Sequence, residues 1–199
     1  MWKLKGKHVA ILVCDGFEQS ELTEPRTALE DEGASCDIVS PAGKRVKGWK
    51  HGDWGKSMKV EVPLAQAVPA HYDALVLPGG VMNPDKLRLM PEAIAFIRAF
   101  ILADKPIAAI CHGPWTLIEA GYARGKTMTS WPSLKTDLIN AGANWVDEEV
   151  VRDGKLVTSR KPADLPAFNR KVIEMFAETA PVREVAPAAE AQAQAQAGT

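Results

Sequence analysis

One short segment constrains the fold of this chain more than any other: an apolar run over residues 107–110 leads directly into Cys111, His112 and Gly113. Small residues stand two positions before and two after the cysteine, as a sharp turn from strand to helix requires. At such a turn, backbone N–H groups and the positive end of a helix dipole lower the pKa of a thiol. The pattern predicts an α/β fold with a nucleophile elbow at Cys111. The alternative is a buried cysteine that ends a central strand, since unpaired cysteines are among the most buried residues.

Strands and helices are predicted to alternate along the chain. An apolar run over 9–14 precedes a turn at 15–18 and a helical pattern that Gly33 can close, and the next strand follows at 36–41. Such a βαβ unit predicts a mostly parallel sheet with helices on both faces. The remaining predicted elements are a loop or hairpin over 43–57, a strand over 73–77, a helix over 94–102, a helix near 132–140, a hairpin over 150–158 and a helix through 168–177.

Length and composition indicate one domain. A chain of 199 residues, 46% of them hydrophobic, can bury one substantial core, which we expect in residues 1–179. Residues 180–199 are rich in Pro, Ala, Gln and Glu and carry no apolar stripe, so a disordered tail is predicted there.

Composition argues against several classes of function. A net charge of −1 gives no broad basic field for nucleic acid, and the basic cluster at 44–56 also contains Asp53, which is typical of a solvated loop. Apolar runs are too short for a membrane span or a signal peptide, so a cytoplasmic location without membrane contact is expected. Three irregularly spaced cysteines indicate neither a disulfide framework nor a structural zinc site. Because the sequence has no dinucleotide or phosphate-binding loop and no acidic metal cluster, neither a cofactor nor a metal is expected.

Three strand ends are predicted to build one site. In a doubly wound sheet, sites form beyond the carboxyl ends of the strands, so the 15–18 turn, the Gly79–Gly80 pair and Cys111 should converge. Glu18 can accept a hydrogen bond from the thiol or, when protonated, donate one to the thiolate, and these cases shift the thiol pKa in opposite directions. The alternative for Glu18 is a helix N-terminal carboxylate. The glycines can simply form a turn, or they can aim N–H groups at a developing oxyanion.

The chain resembles the PfpI-like branch of the ThiJ/PfpI superfamily. The resemblance spans about residues 6–178 and is carried by Asp-Gly-Phe-Glu at 15–18, Leu-Pro-Gly-Gly at 77–80, Ala-Ile-Cys-His-Gly-Pro at 109–114, Thr-Ser-Trp-Pro at 129–132 and Ser-Arg-Lys-Pro-Ala-Asp-Leu-Pro at 159–166. It implies a flavodoxin-like three-layer sandwich of the class I glutamine amidotransferase-like type. It also implies Cys111 as nucleophile, Glu18 as the carboxyl that hydrogen-bonds the thiol, and an oxyanion hole formed by the amides of Gly80 and His112.

The resemblance also implies a homo-oligomer, a dimer or a hexamer, in which an acidic residue of a neighbouring subunit orients the histidine. Asp85 is at the matching position. The family more often has a glutamate there, with one fewer residue after the glycine pair, so a helix-capping role for Asp85 is an equal alternative to catalysis. Trp131 stands where the family frequently has a tyrosine, and an indole cannot replace a phenolic acid.

The predicted function is cysteine-dependent attack on an electrophilic carbonyl, with His112 or Glu18 moving protons. The resemblance implies two substrate classes: small dicarbonyls with their early adducts on proteins or nucleotides, as in a glyoxalase or deglycase of stress protection, or peptides, as in an intracellular cysteine peptidase. Carbonyl chemistry ranks first, because a weak Asp85 arrangement would impair amide hydrolysis most. A third reading is a non-catalytic redox sensor that responds through oxidation of Cys111. Holdase-like binding has no dedicated sequence feature.

Overall fold

The structure is a computed structural model that describes residues 2–181. Most of the predicted tail at 180–199 therefore lies outside the described residues. The strands are β1 (His8–Leu12), β2 (Ser35–Ser40), β3 (Arg45–Lys50), β4 (Asp53–Lys59), β5 (Val62–Pro63), β6 (Ala74–Leu77), β7 (Ile107–Ile110), β8 (Thr127–Met128), β9 (Asn144–Trp145), β10 (Val150–Asp153) and β11 (Leu156–Ser159). The helices are α1 (Gln19–Asp31), α2 (Met82–Leu87), α3 (Pro91–Leu102), α4 (Pro114–Glu119), α5 (Lys135–Asn140) and α6 (Leu165–Ala177).

Seven strands form a central sheet in the order β10-β11-β7-β6-β1-β2-β5. All neighbours are parallel except the β10–β11 hairpin, whose turn carries the predicted Asp153-Gly154 pair. From β1 the chain adds strands first on one side and then, from β6 onward, on the other. A crevice forms where the order reverses, at the carboxyl ends of β1 and β6, and such crevices hold the sites of doubly wound proteins.

Side chains alternate between two cores, one on each face of the sheet. Along β7, Ile107 and Ala109 join one core while Ala108 and Ile110 join the other, as the two-residue period of a strand requires. One core is completed by α3 and α4, and the other by α1 and α6. This arrangement confirms the predicted three-layer α/β sandwich with a mostly parallel sheet.

The polar segment at 43–57 folds as a hairpin of β3 and β4, which form a two-stranded sheet of their own. Backbone bonds tie this hairpin to the turn after β1: the Gly16 N–H donates to the Lys47 carbonyl at 2.9 Å, and the Trp49 N–H donates to the Phe17 carbonyl at 2.7 Å. The hairpin is thus anchored on the loop that leads into α1. Between residues 2 and 181, no helix is both long and apolar enough to cross a membrane.

Candidate active site

Cys111 occupies a strained turn between β7 and α4. Its φ of +62° lies in the left-handed region, which costs a non-glycine residue on the order of 1–2 kcal/mol. Backbone hydrogen bonds hold this conformation: the Cys111 N–H donates to the Ser159 carbonyl at 3.0 Å, and the Cys111 carbonyl accepts from the Trp131 N–H at 2.9 Å. The strain therefore marks a nucleophile elbow, as the small residues around the cysteine predict. Helix α4 begins only at Pro114, so the groups next to the sulfur come mainly from neighbouring loops.

The loop after β6 packs against this elbow without room for a side chain. A Cβ atom at Gly79 would lie 2.7 Å from the Cβ of Cys111 and 2.8 Å from the backbone nitrogen of His112. Gly80 has a φ of +72°, and a Cβ there would lie 2.6 Å from the backbone nitrogen of Glu18. The close approach brings the N–H groups of Gly80 and His112 toward the thiol, where both act to lower its pKa. These are the two amides that the resemblance assigns to an oxyanion hole.

The carboxyl beside the thiol belongs to Glu21, on the first turn of α1. Glu21 is fully buried and accepts the Gly79 N–H at 2.8 Å, and its Oε2 and the Cβ of Cys111 would each lie 2.7 Å from a Cβ at Gly79, so the carboxyl stands beside the thiol. Its Oε1 atom is buried without a hydrogen-bond partner of its own among the described residues. Glu21 therefore connects the thiol to the glycine loop.

The structure corrects the expectation for Glu18. The Glu18 side chain is half-buried and accepts a hydrogen bond from the Ser20 hydroxyl at 3.1 Å, while its backbone pairs with the β3–β4 hairpin at Trp49. Glu18 precedes α1 in extended conformation, whereas Glu21 lies one turn later on the face of the helix that packs on the sheet. The position that hydrogen-bonds the thiol is thus occupied by Glu21.

Burial controls the protonation of Glu21 and Cys111. Desolvation raises the pKa of Glu21 to about 8, so the carboxyl is protonated at neutral pH and can donate its O–H to sulfur. Burial also raises the pKa of the Cys111 thiol, and an ionised Glu21 would raise it further. The N–H groups of Gly80 and His112 act in the opposite direction and lower the thiol pKa. A neutral Glu21 is therefore the state compatible with a thiolate.

The raised pKa of Glu21 makes stability depend on pH. Between its ordinary pKa of about 4.5 and the folded value of about 8, the folded state holds a proton that the unfolded state has released. The stabilisation of the folded state by this proton is complete below pH 4.5, the ordinary pKa, and is lost as the pH rises through the folded pKa of about 8. We expect wild type to lose on the order of 4 kcal/mol of unfolding free energy relative to Glu21→Gln between pH 5 and 8.5, as measured by urea unfolding. If the unfolding free energies of wild type and Glu21→Gln changed in parallel with pH, the raised pKa of Glu21 would be contradicted.

His112 faces the sulfur from the other side. Its Nδ1 lies 3.2 Å from the Cys111 Sγ, and burial lowers its pKa to about 4, so the ring is neutral at pH 7. Two indoles fix the ring plane: Trp131 stacks on it with centroids 5.9 Å apart, and Trp115 contacts it at 5.2 Å. Asp137 in turn holds Trp115, because its carboxylate accepts the indole N–H at 2.8 Å. A neutral imidazole in this position can accept the thiol proton.

Asp85 does not meet His112 within one chain. It is exposed on the first turn of α2, and no contact joins it to the imidazole among the described residues. The structure therefore brings together Cys111, His112 and Gly80, together with Glu21, and leaves Asp85 at the surface. Its role across a subunit interface stays a prediction.

Two residues of the site went unnoticed in the sequence. Glu21 lies on the same helical stripe as Leu22, Pro25 and Leu29, all buried, and a carboxyl on an apolar stripe is a recognisable signal. Asn83 is fully buried; its amide donates to the carbonyls of Pro78 and Gly79, and its oxygen accepts the N–H of Cys14. No periodic pattern marks Asn83, since its partners are backbone groups of two different loops.

The other cysteines lie apart from this chemistry. Cys14 and Cys36 are buried, and burial raises their pKa values to about 11 and about 12. Within residues 2–181, no three His, Cys, Asp or Glu side chains are grouped so that they could hold a metal ion.

Fold and site together define a flavodoxin-like α/β protein with a buried thiol at a nucleophile elbow. The chain belongs to the DJ-1/PfpI family, whose profile matches residues 7–175. It is 44% identical over 168 residues to a deglycase of Pyrococcus horikoshii, covering 84% of this chain and 98% of that protein. It is 43% identical over 172 residues to a protein/nucleic acid deglycase of Escherichia coli, covering 85% and 98%. The crystal structure of Drosophila melanogaster DJ-1beta superposes with a TM-score of 0.79 at 30% identity, covering 94% of this chain and 98% of that one.

Proposed function

We propose that this protein is a cysteine-dependent deglycase and glyoxalase, acting on small dicarbonyls such as methylglyoxal and on their early adducts with protein side chains. The observation that carries the proposal is the surroundings of one thiol: the carboxyl of Glu21 and the amides of Gly80 and His112 stand beside Cys111, and the imidazole Nδ1 lies 3.2 Å from its sulfur. Deglycase relatives at 43–44% identity support the same activity.

The first step joins the thiol to the substrate. Cys111 passes its proton to His112 Nδ1, and Sγ bonds to the aldehyde carbon of methylglyoxal while the carbonyl electron pair moves to oxygen. The N–H groups of Gly80 and His112 stabilise this developing alkoxide. In an adduct, Sγ replaces the nitrogen or sulfur of the modified side chain on the same carbon, and the freed side chain takes up the proton.

In the second step, the carbon bonded to sulfur is oxidised and the neighbouring ketone carbon is reduced. The alkoxide oxygen first takes the thiol proton back from His112 Nδ1. The imidazole, neutral again, then removes the proton from the carbon that bears sulfur and returns it to the neighbouring ketone carbon. The hemithioacetal thereby becomes a thioester of lactate. Water then cleaves the bond between sulfur and carbon and releases lactate and the free thiol. One carbon is oxidised as its neighbour is reduced, so the sum is methylglyoxal plus water giving lactate.

Access to the thiol favours small substrates over peptides. Cys111 and His112 are each 6% exposed, so little of either residue is accessible, which suits a dicarbonyl or a single modified side chain better than an extended chain. A peptidase needs a groove for an extended chain and a proton donor for the leaving amine. Intracellular peptidase action therefore ranks second. A role as a redox stress sensor is the remaining alternative, in which a buried neutral carboxyl stabilises an oxidised sulfur.

The proposal includes a homo-oligomer, either a dimer or a hexamer. It also includes a cytoplasmic location and a role in stress protection. An oligomer is supported by the state of His112, whose ring contacts no carboxylate of its own chain among the described residues. An exposed Asp85 on α2 is available to a neighbouring copy.

The direct test is lactate formation by purified protein from methylglyoxal and from the hemithioacetal of methylglyoxal with N-acetylcysteine, followed by NMR. We expect many lactates per chain from both substrates, with heat-denatured protein as the control. Lactate from the free dicarbonyl alone would limit the activity to that of a glyoxalase. Peptide cleavage without lactate would favour the peptidase, and consumption of one equivalent of peroxide without lactate would favour the sensor.

A further inference from the structure

The side chain of Asn83 lies where the carboxyl ends of β1 and β6 meet. It belongs to the first turn of α2 and has no exposed surface. Its Oδ1 accepts the N–H of Cys14 at 2.8 Å, just beyond β1. Its Nδ2 donates to the carbonyls of Pro78 at 2.9 Å and Gly79 at 3.2 Å, just beyond β6. One donor and two acceptors fix the orientation of this amide and use both of its hydrogens. A single side chain thus ties together two of the loops that surround the thiol.

The two carbonyls that Asn83 holds belong to the peptide groups that carry the Gly79 and Gly80 N–H. Because a trans peptide is planar, its C=O and its N–H point in opposite directions. A bond to the Pro78 carbonyl therefore directs the Gly79 N–H away from Asn83, and this N–H donates to the Glu21 carboxyl at 2.8 Å. The Gly80 N–H is directed in the same way toward the thiol, and there it lowers the thiol pKa.

Two glycines in succession give this loop little stiffness of its own. Without a Cβ, glycine adopts positive φ as readily as negative φ, and Gly80 has a φ of +72°. The Gly79 carbonyl has a second partner in the Glu18 N–H, but at 3.4 Å this contact is longer than the bond from Asn83. If the Gly79–Gly80 peptide turned over, its carbonyl would replace its N–H beside the sulfur and would repel a developing alkoxide. The side-chain amide opposes this rotation.

We propose that Asn83 is a positioning residue, whose side-chain amide keeps the Gly79–Gly80 peptide turned so that the Gly80 N–H faces the thiol and the alkoxide formed there. The part of this inference that concerns the alkoxide rests on the proposed function. A purely structural role predicts that loss of the amide loosens the loop and exposes the thiol to reagents. The positioning role predicts the opposite, because a thiol that loses this N–H forms its thiolate less readily.

The test compares wild type with Asn83→Asp, which keeps the shape of the side chain but has at most one hydrogen for the two carbonyls. The rate at which iodoacetamide alkylates Cys111 at neutral pH, followed by peptide mass spectrometry, should fall about tenfold. For lactate formation from methylglyoxal, kcat should fall by about 10² and KM should stay within about threefold of wild type, because the N–H acts on the alkoxide rather than on the bound substrate. Asn83→Ser, a neutral side chain with one hydrogen, should change both rates in the same direction and decides the test if Asn83→Asp does not fold.

Cys14→Ala is the matched control. Cys14 is buried in the same crevice, and its Sγ donates to the backbone carbonyl of Asn83 at 3.4 Å. The alanine variant therefore disturbs the same packing but leaves all three hydrogen bonds of the Asn83 amide in place. Both its alkylation at Cys111 and its lactate formation should match those of wild type.

Two results would overturn the positioning role. One is alkylation of Cys111 at the wild-type rate or faster in Asn83 variants that are folded by circular dichroism, and the other is a raised KM with an unchanged kcat. If wild type forms no lactate, the proposed function fails and the alkylation rates alone decide the role of Asn83. Slower alkylation in the Asn83 variants, with Cys14→Ala unchanged, would then still support it.

Discussion

Cys111→Ser is expected to abolish lactate formation, lowering kcat by a factor of about 10⁴ or more. A serine hydroxyl fits the same elbow, but it ionises far less readily than a thiol and is a weaker nucleophile without a strong base. The imidazole beside it has its pKa lowered to about 4, and an alcohol is a far weaker acid than a thiol, so the imidazole takes a proton from serine much less readily than from cysteine. The measurement is the initial rate of lactate formation at saturating methylglyoxal.

Cys36→Ser is the matched control for this variant. Cys36 is also a buried, unpaired cysteine at the edge of the same core, but it lies on β2 away from the elbow. Cys36→Ser should form lactate at a rate within a few fold of wild type. It should also show any loss of folding stability that comes from burying a hydroxyl group. Substantial turnover by Cys111→Ser would remove the thiol from the chemistry and leave the two amides and His112 as the active groups.

Glu21→Gln is expected to lower kcat by about 10², the scale of one positioned acid–base group. A glutamine can still accept the Gly79 N–H, so the loop geometry is preserved, but it lacks an acidic O–H for the sulfur. The pH profile separates this role from a structural one. Wild-type activity should fall above pH 8 as Glu21 ionises and its charge opposes the thiolate, whereas the glutamine variant should lack that alkaline limb.

Glu18→Gln provides the comparison, since Glu18 lies three residues away and, among residues 2–181, its side chain hydrogen-bonds only Ser20. It should retain kcat within about threefold of wild type and keep the alkaline limb of the profile. If Glu18→Gln proved the more damaging variant, the assignment of Glu21 as the partner of the thiol would fail.

Hydrophobic periodicity accounts for most of what the sequence could predict of the fold. The strand before Cys111, the strand before the glycine pair and the helix of Leu22 and Leu29 are apolar patterns that do not depend on distant residues. The elbow was likewise predictable, because its requirement for small neighbours is local. The sequence does not distinguish a loop from the β3–β4 hairpin, since a polar, glycine-containing segment has no hydrophobic periodicity.

Side-chain placement at the site was less predictable. Glu18 and Glu21 both precede buried residues of α1, and which one reaches the thiol depends on where the helix begins. The helix begins at Gln19, which places Glu21 on the inward face and leaves Glu18 extended outside it. Whether Asp85 reaches a histidine depends on a second chain, and that information is absent from one sequence.

Several distant parts of the chain must meet before the thiol acquires its surroundings. Glu21 comes from α1, Gly80 from the end of β6, and the stacked Trp131 from the segment before α5. Each contact spans tens of residues, so none exists until the central sheet has assembled. During synthesis and refolding Cys111 is an ordinary exposed thiol, and the neighbours that bury it and act on its pKa arrive only with completion of the fold.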